Sequence, residues 1–502
     1  MLGKSASASF RWNLAGWIAR NGAAFLINIV LARILGPEPY GLVALALIFI
    51  SIGNLILDPG LSAGLVQKKE INNKDIYYVF TIQVLLTLII CGLIICLAPL
   101  IAKFSNKSEI IPVLQILSIA LFFQSLGQTS IALLKRRMLF NRIQQSGIVS
   151  YLVGYLAIGL PLAYAGYGVW SLVFAQLAQG VLYLILIYGA APHSLRFNFR
   201  DPGELSPFGI NILGANIANW IISNYDNTSI GWAYGTTSLG LYNRAWNLAL
   251  TPVGIVVNSC QGVLFTTSSK LQESIGRVKD GLLGVFCFIG ITLFPFSICE
   301  SFIAYDLVQF VYGDKWLNSA PILAVLALAM PFFALMAIQG PVLAGLGKPQ
   351  IEIKLQWIVV VFTCVVFYFA IQSSMQMIVW SVIVIYTFRF FLLSIINLKT
   401  VGVTKQDVIR ILLSIVIFSV IEMLIALMVG QLKIHLISII KLLIQSLAGF
   451  FGWIIVFVIG WNHFLPGQIK NLMIRFLPTR IVVILGNIKY PSKDGRLIKE
   501  KI

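Results

Sequence analysis

The chain has 502 residues, of which 59% are hydrophobic and 11% charged, and its mean hydropathy is +0.91. A soluble domain of this size needs far more polar surface to cover itself. A soluble enzyme or nucleic-acid-binding domain is therefore excluded, despite a net charge of +18.

Apolar runs of about 20 residues, each long enough to cross a hydrocarbon core of about 30 Å, recur along the whole length. They predict fourteen spans, at 13–35, 41–66, 78–102, 110–134, 147–166, 169–190, 207–232, 238–264, 281–303, 319–343, 355–372, 376–398, 407–430 and 436–460. Lys4 and Arg11 precede a run that is long and polar-spotted, which reads as the first span and not as a cleaved leader. Within span two, Asp58-Pro59-Gly60-Leu61 predicts a helix break. The connection from Ala191 to Ser206 follows six spans and marks a lobe boundary. The expected organisation is an N-terminal six-helix lobe (1–190), a linker (191–206), a C-terminal six-helix lobe (207–400), two additional spans (401–462) and a basic tail (463–502).

Positive charge falls on alternate gaps. With the N-terminus inside, 27 of the 36 Lys and Arg residues are cytoplasmic. Five lie outside (Arg33, Lys103, Lys107, Lys315 and Lys433) and four within spans (Arg20, Arg244, Arg389 and Lys441). That asymmetry predicts cytoplasmic termini. The six cysteines all sit in apolar runs and read as small buried hydrophobes. The three histidines, His193, His435 and His463, are dispersed, so no metal or other cofactor is expected.

The halves repeat. Asn28 followed by Gly36-Pro37-Glu38-Pro39-Tyr40-Gly41-Leu42 matches Asn227 followed by Gly235-Thr236-Thr237-Ser238-Leu239-Gly240-Leu241. Val169-Trp170-Ser171 likewise matches Val379-Trp380-Ser381. Six spans per half give both copies the same orientation.

Polar groups inside spans mark candidate function, because a charge at a helix centre costs about 2.5–3.5 kcal/mol on insertion scales. At 100° per residue, Asn13, Arg20, Asn21 and Asn28 share one face of span one. Asn216, Asn219, Ser223, Asp226 and Asn227 share a face of span seven, and Arg244, Asn247, Thr251, Asn258 and Gln261 a face of span eight. Hydrocarbon offers such faces no partners, so they line water or meet one another. The candidate cavity residues are Arg20, Asn28, Asn219, Asp226, Asn227, Arg244, Asn247, Asn258, Gln261 and Arg389. A guanidinium fork suits phosphate oxygens; the alternative is that each Arg pairs with a carboxylate such as Asp226. Gly36, Gly41, Asp58, Gly60, Gly235 and Gly240 are candidate gating or structural positions. Glu422 and Lys441 form an expected structural ion pair, and Glu300 is expected at a solvated outer end. No phosphate-binding loop and no outer-loop carboxylate pair for acid/base work accompany these residues.

The segments Leu35–Leu42, Asp58–Gln67 and Asp226–Leu248 resemble the polysaccharide transporter family. These are the Wzx-type flippases of the multidrug/oligosaccharidyl-lipid/polysaccharide exporter superfamily. In that family the second segment usually reads Asp-Leu-Gly-Leu, and here Pro59 replaces the Leu. The resemblance implies an all-α membrane fold of two pseudo-symmetric six-helix bundles plus two C-terminal helices, alternating between inward- and outward-open states. The implied cargo is an undecaprenyl-diphosphate-linked oligosaccharide, crossing the bacterial cytoplasmic membrane for O-antigen, capsule or exopolysaccharide synthesis. Implied partners are this lipid-linked substrate, membrane lipids, a proton or sodium ion, and the polymerase and glycosyltransferases of the same pathway, but no nucleic acid. Rival readings are a drug/cation antiporter of the same fold and an integral-membrane glycosyltransferase or polymerase; the preferred reading is not an enzyme.

Overall fold

The computed structural model describes residues 22–57, 61–68, 70–200, 206–270, 274–431, 490–491 and 497–498. The chain is helical from Gly22 to Leu35 (α1). It continues as α2 (Pro37–Leu57), α3 (Leu61–Gln67), α4 (Asn73–Ser105), α5 (Ile110–Leu126), α6 (Gln128–Arg136) and α7 (Phe140–Tyr151). A π-helical stretch (Leu152–Gly159) leads into α8 (Leu160–Tyr164) and α9 (Val169–Ala190). Then follow α10 (Ser206–Ala233), α11 (Gly235–Lys270), α12 (Ile275–Phe302), α13 (Ala304–Tyr312) and a 3-10 turn (Asp314–Ser319). The series ends with α14 (Ala320–Ala337), α15 (Gln339–Gly345), α16 (Pro349–Ser373), α17 (Met375–Thr400) and α18 (Lys405–Gln431). A two-residue antiparallel ladder pairs Tyr490 with Ile498 and Pro491 with Leu497.

Among the described residues, ten helices are long and apolar enough to cross a membrane; the chain is a multi-pass membrane protein. The predicted spans from the second to the thirteenth each overlap one helix or a broken run of two or three. Span two divides into α2 and α3 around the Asp58–Gly60 segment, which itself lies outside the described residues, as does the fourteenth span. Glu300 departs from expectation. It is 4% exposed, with Oε2 lacking a partner. Its helix runs on to Phe302 and is followed at once by α13, a helix where hydropathy reads a solvated loop.

Local signals explain the element ends. Asn72 accepts from the Asp75 amide at 3.0 Å while Asp75 accepts from the Asn72 amide at 2.9 Å, a capping box that starts α4. Arg136 donates to the carbonyls of Leu65, Val66 and Lys68, satisfying the orphan end of α3. Gly36 and Gly235, matched in the repeat, both sit at φ +79°, where a side chain would be strained. Each lets the chain turn sharply from one helix into the next.

Packing divides the chain into two compact units. The first comprises Met1–Arg244, Val311–Ser319 and Val360–Ile378; the second comprises Ala245–Phe310, Ala320–Val359 and Val379–Ile502. Within the first, α4 packs along α5, α5 along α9, and α2 along α10. The starts of α2 and α11 touch backbone to backbone. A Cβ at Gly41 would overlap the Thr236 carbonyl, and one at Gly240 would overlap the Pro37 carbonyl. Because 41 matches 240 and 37 matches 236, the contact is reciprocal, as across a twofold axis.

Residues 311–319 cap the end of α1. Arg33 Nε donates to the Val311 carbonyl at 2.9 Å, Lys315 Nζ to the Ile34 carbonyl at 3.1 Å, and Trp316 Nε1 to the Ala32 carbonyl at 2.9 Å. Trp316 is fully buried, edge-on to Tyr40 at 5.8 Å. Trp316→Ala should therefore cost about 3–5 kcal/mol, read as a lowered melting temperature of the purified protein; an unchanged melt would show that the capping segment contributes nothing.

In the second unit α12 packs against α14 and α18, meeting α18 where Gly290 faces Ile415. Gln339 donates to Ser394 at 3.0 Å and accepts from Asn397 at 3.4 Å, tying α15 to α17.

Candidate functional site

α1, α2, α9, α10 and α11, with the π-helical stretch, wall a cavity of about 300 Å³ in the first unit. Its polar lining is Asn28, Tyr40, Ser51, Tyr155, Gln176, Asn224, Asn227, Asn243 and Arg244; Val43, Ala44, Leu47, Ile48 and Leu172 complete it. That volume falls at the lower end of the ~300–1,000 Å³ usual for small-molecule sites. No Asp or Glu appears among the described lining residues.

Arg244 lies about 14 Å along α11 from its start, and its guanidinium carbon stands 4.3 Å from the Tyr40 ring centroid. A cation over an aromatic face is attracted by the ring quadrupole. Arg244 Nη1 donates to Asn28 Oδ1 at 3.4 Å and Nη2 to Asn243 Oδ1 at 3.3 Å. Both are long beside the usual 2.9–3.0 Å mode. Nε has no partner.

The neighbours of Arg244 are fixed by their own bonds. Asn28 Nδ2 donates to Tyr151 Oη and to the Ala24 carbonyl, each at 2.8 Å, which turns Oδ1 toward Arg244. Tyr151 and Tyr155 stack at 4.5 Å. Asp226, 2% exposed, accepts from the Asn227 amide at 2.7 Å, from Asn227 Nδ2 at 3.2 Å and from the Tyr242 hydroxyl. Asp226 thus orients Asn227 and does not serve as the counterion of Arg244. The cationic fork has donors to spare and only amide oxygens beside it, an arrangement that suits an anion with several acceptor oxygens.

A second cavity, of about 360 Å³, shares Leu47, Tyr155 and Gln176 with the first and adds Ala120, Gln124, Gly147, Gln179, Gly180 and Tyr183. Close helix approaches form it. A Cβ at Gly154 would stand 2.6 Å from the Ala175 carbonyl oxygen, and one at Gly180 3.1 Å from that of Ala120. These contacts draw the π-helical stretch and α5 onto α9. π-helical insertions recur at functional sites, and here the stretch carries Tyr155.

Of the sequence candidates, the cavity brings together Asn28, Asn227 and Arg244. Asp226 supports it from behind, and Asn219 is half-buried on α10 and not in the lining. Asn247, Asn258 and Gln261 belong to the stretch of α11 in the second unit. Asn258 is exposed, and Gln261 donates to the Ala337 carbonyl at 2.8 Å. Arg389 is buried in the second unit within electrostatic reach of Tyr386 and Glu352, the carboxylate alternative to a cargo role. Arg20, Asn13, Asn21, Asp58, Gly60 and Lys441 lie outside the described residues, as does the Glu422 side chain. Sequence reasoning missed Tyr40, Ser51, Tyr155, Gln176, Asn224 and Asn243. Asn224 and Asn243 were visible as intramembrane amides. Tyr40 stood within the Gly36–Leu42 repeat segment, where the glycine spacing drew attention to the turn and not to the ring.

Residues 30–321 match a family described as "Polysaccharide biosynthesis protein". The succinoglycan biosynthesis transport protein ExoT of Rhizobium meliloti (strain 1021) is 27% identical over 388 residues, 76% of this chain and 78% of that one. Among solved structures, the lipid II flippase MurJ in an inward closed conformation matches with a TM-score of 0.72 and 16% identity, covering 91% of this chain and 98% of that one. An inward-facing multidrug resistance MATE family transporter of the MOP superfamily matches with a TM-score of 0.61 and 14% identity, covering 75% and 94%. The chain has the all-α MOP superfamily fold.

Proposed function

The chain belongs to the polysaccharide biosynthesis protein family, and from that premise we propose that it is a flippase and not an enzyme. It moves polyprenyl-diphosphate-linked oligosaccharide repeat units from the cytoplasmic to the outer leaflet of the bacterial cytoplasmic membrane, by alternating access. Both termini are cytoplasmic, and the six-plus-six division into lobes, with two added spans, is the frame for the movement. A proton or sodium gradient drives it, and the polymerase and glycosyltransferases of the pathway act on either side.

The observation that carries this reading is Arg244. Its guanidinium faces a cavity with no carboxylate among the described lining residues, and its Nε has no partner among them. A diphosphate supplies the acceptors that this fork lacks, the Asn amides suit sugar hydroxyls, and the polyprenyl tail stays in lipid. The same lining disfavours the cation antiporter, which needs an acidic site. The ExoT and MurJ likenesses support the transporter class. Deleting the gene should make one lipid-linked glycan accumulate on the inner leaflet, identified by mass spectrometry of extracted lipids. An unchanged profile with normal surface polysaccharide would overturn the assignment.

A further inference from the structure

Gln124 and Gln179 stand near the middle of the spanning helices Ile110–Arg136 and Val169–Ala190. With Gln176, one turn away on α9, they open into the second cavity. None of the three amides has a hydrogen-bond partner among the described residues, in a region where hydrocarbon supplies none. Polar side chains at such depth line a water-filled or ligand-filled space. The cavity carries no charged residue among its described lining and has Tyr155 and Tyr183 in its wall. It lies beside the Arg244 cavity, with Leu47, Tyr155 and Gln176 lining both.

From this juxtaposition we propose that the second cavity is a sugar subsite, taking the uncharged sugar ring attached directly to the diphosphate. This deepens the flippase reading and rests on it. Amides offer both donors and acceptors, which matches hydroxyl or acetamido groups. An aromatic ring gives a pyranose an apolar face to lie on. A uronate carboxylate in this position finds no cation among the lining residues, so the subsite discriminates against an acidic first sugar. Gln124 and Gln179 line this cavity alone, and Gln176 lies at the junction.

The test measures binding to the purified full chain in lipid nanodiscs with three probes: polyprenyl diphosphate, polyprenyl-diphosphate glucose and polyprenyl-diphosphate glucuronate. The wild type should bind the glucose probe roughly tenfold tighter than bare polyprenyl diphosphate, and the glucuronate probe no tighter than the bare lipid. Gln124→Leu and Gln179→Leu keep similar volume and remove an unpaired amide, so both should remain folded. Each should lose most of the glucose advantage while binding bare polyprenyl diphosphate as the wild type does, which also certifies the fold. No glucose advantage in the wild type, or equal weakening of both probes in the variants, overturns the subsite and leaves the flippase reading standing. Wild-type protein that binds none of the three probes overturns both.

Discussion

Arg244→Ala should abolish complementation of a flippase-null strain while leaving the amount of protein in the membrane unchanged. The guanidinium is held by stacking on Tyr40 and by two long bonds to Asn28 and Asn243. Losing these costs the fold little, because Asn28 keeps its 2.8 Å bonds to Tyr151 and the Ala24 carbonyl. Against a diphosphate the same group makes charge-assisted bonds worth about 1.5–3 kcal/mol each, so losing two of them weakens cargo binding by roughly two decades or more. Arg244→Lys should recover only part of the activity, since an ammonium cannot fork onto two oxygens. Wild-type polysaccharide export in the alanine variant, measured at matched protein level, would remove Arg244 from the cargo site.

The second large effect is expected at the backbone contact between α2 and α11. Gly41→Ala places a methyl group inside the Thr236 carbonyl, and Gly240→Ala places one inside the Pro37 carbonyl. The obstacle in each case is main chain, which cannot rotate away as a side chain can. Overpacking typically costs about 1–3 kcal/mol, and both variants should fall at or above the top of that range, seen as lowered yield and melting temperature. Because either methyl group alone forces the two helices apart, the double variant should be less destabilised than the two single losses combined. Full additivity, or a Gly41→Ala protein that melts with the wild type, would refute the close approach.

Hydropathy was sufficient to locate the long helices from α2 to α18, though not α13, because a helix that crosses hydrocarbon has little choice of composition or length. The repeat was legible too: Gly36 and Gly235 were paired by spacing alone, and they share a φ of +79°. What hydropathy and the helical wheel could not supply was the identity of partners. They placed Arg244 through Gln261 on one face, yet Arg244 lines a cavity in the first unit while Gln261 bonds to the Ala337 carbonyl in the second. A wheel assumes one straight helix, and Pro252 lies inside α11 between those residues, where a proline removes a backbone hydrogen bond. Asp226 was a plausible counterion by proximity in sequence. Only coordinates show its carboxylate already occupied by Asn227 and Tyr242. The role of Trp316 beneath α1 is a contact across nearly three hundred residues of chain, for which no local pattern exists.

The mutual notch at Gly41 and Gly240 bears on ancestry. A surface that fits its own copy is what identical protomers present to each other in a symmetric dimer. Were the repeat a duplication of a six-span unit, that unit would have paired with its twin through such a notch, and gene fusion would have tethered a partnership already formed. On that history the two sides were free to diverge wherever side chains set the fit, and the matched positions 37 and 236 now hold Pro and Thr. The glycines were not, since main chain meets main chain there. A split protein, expressed as two fragments divided between the halves, should accordingly reassemble without a covalent link.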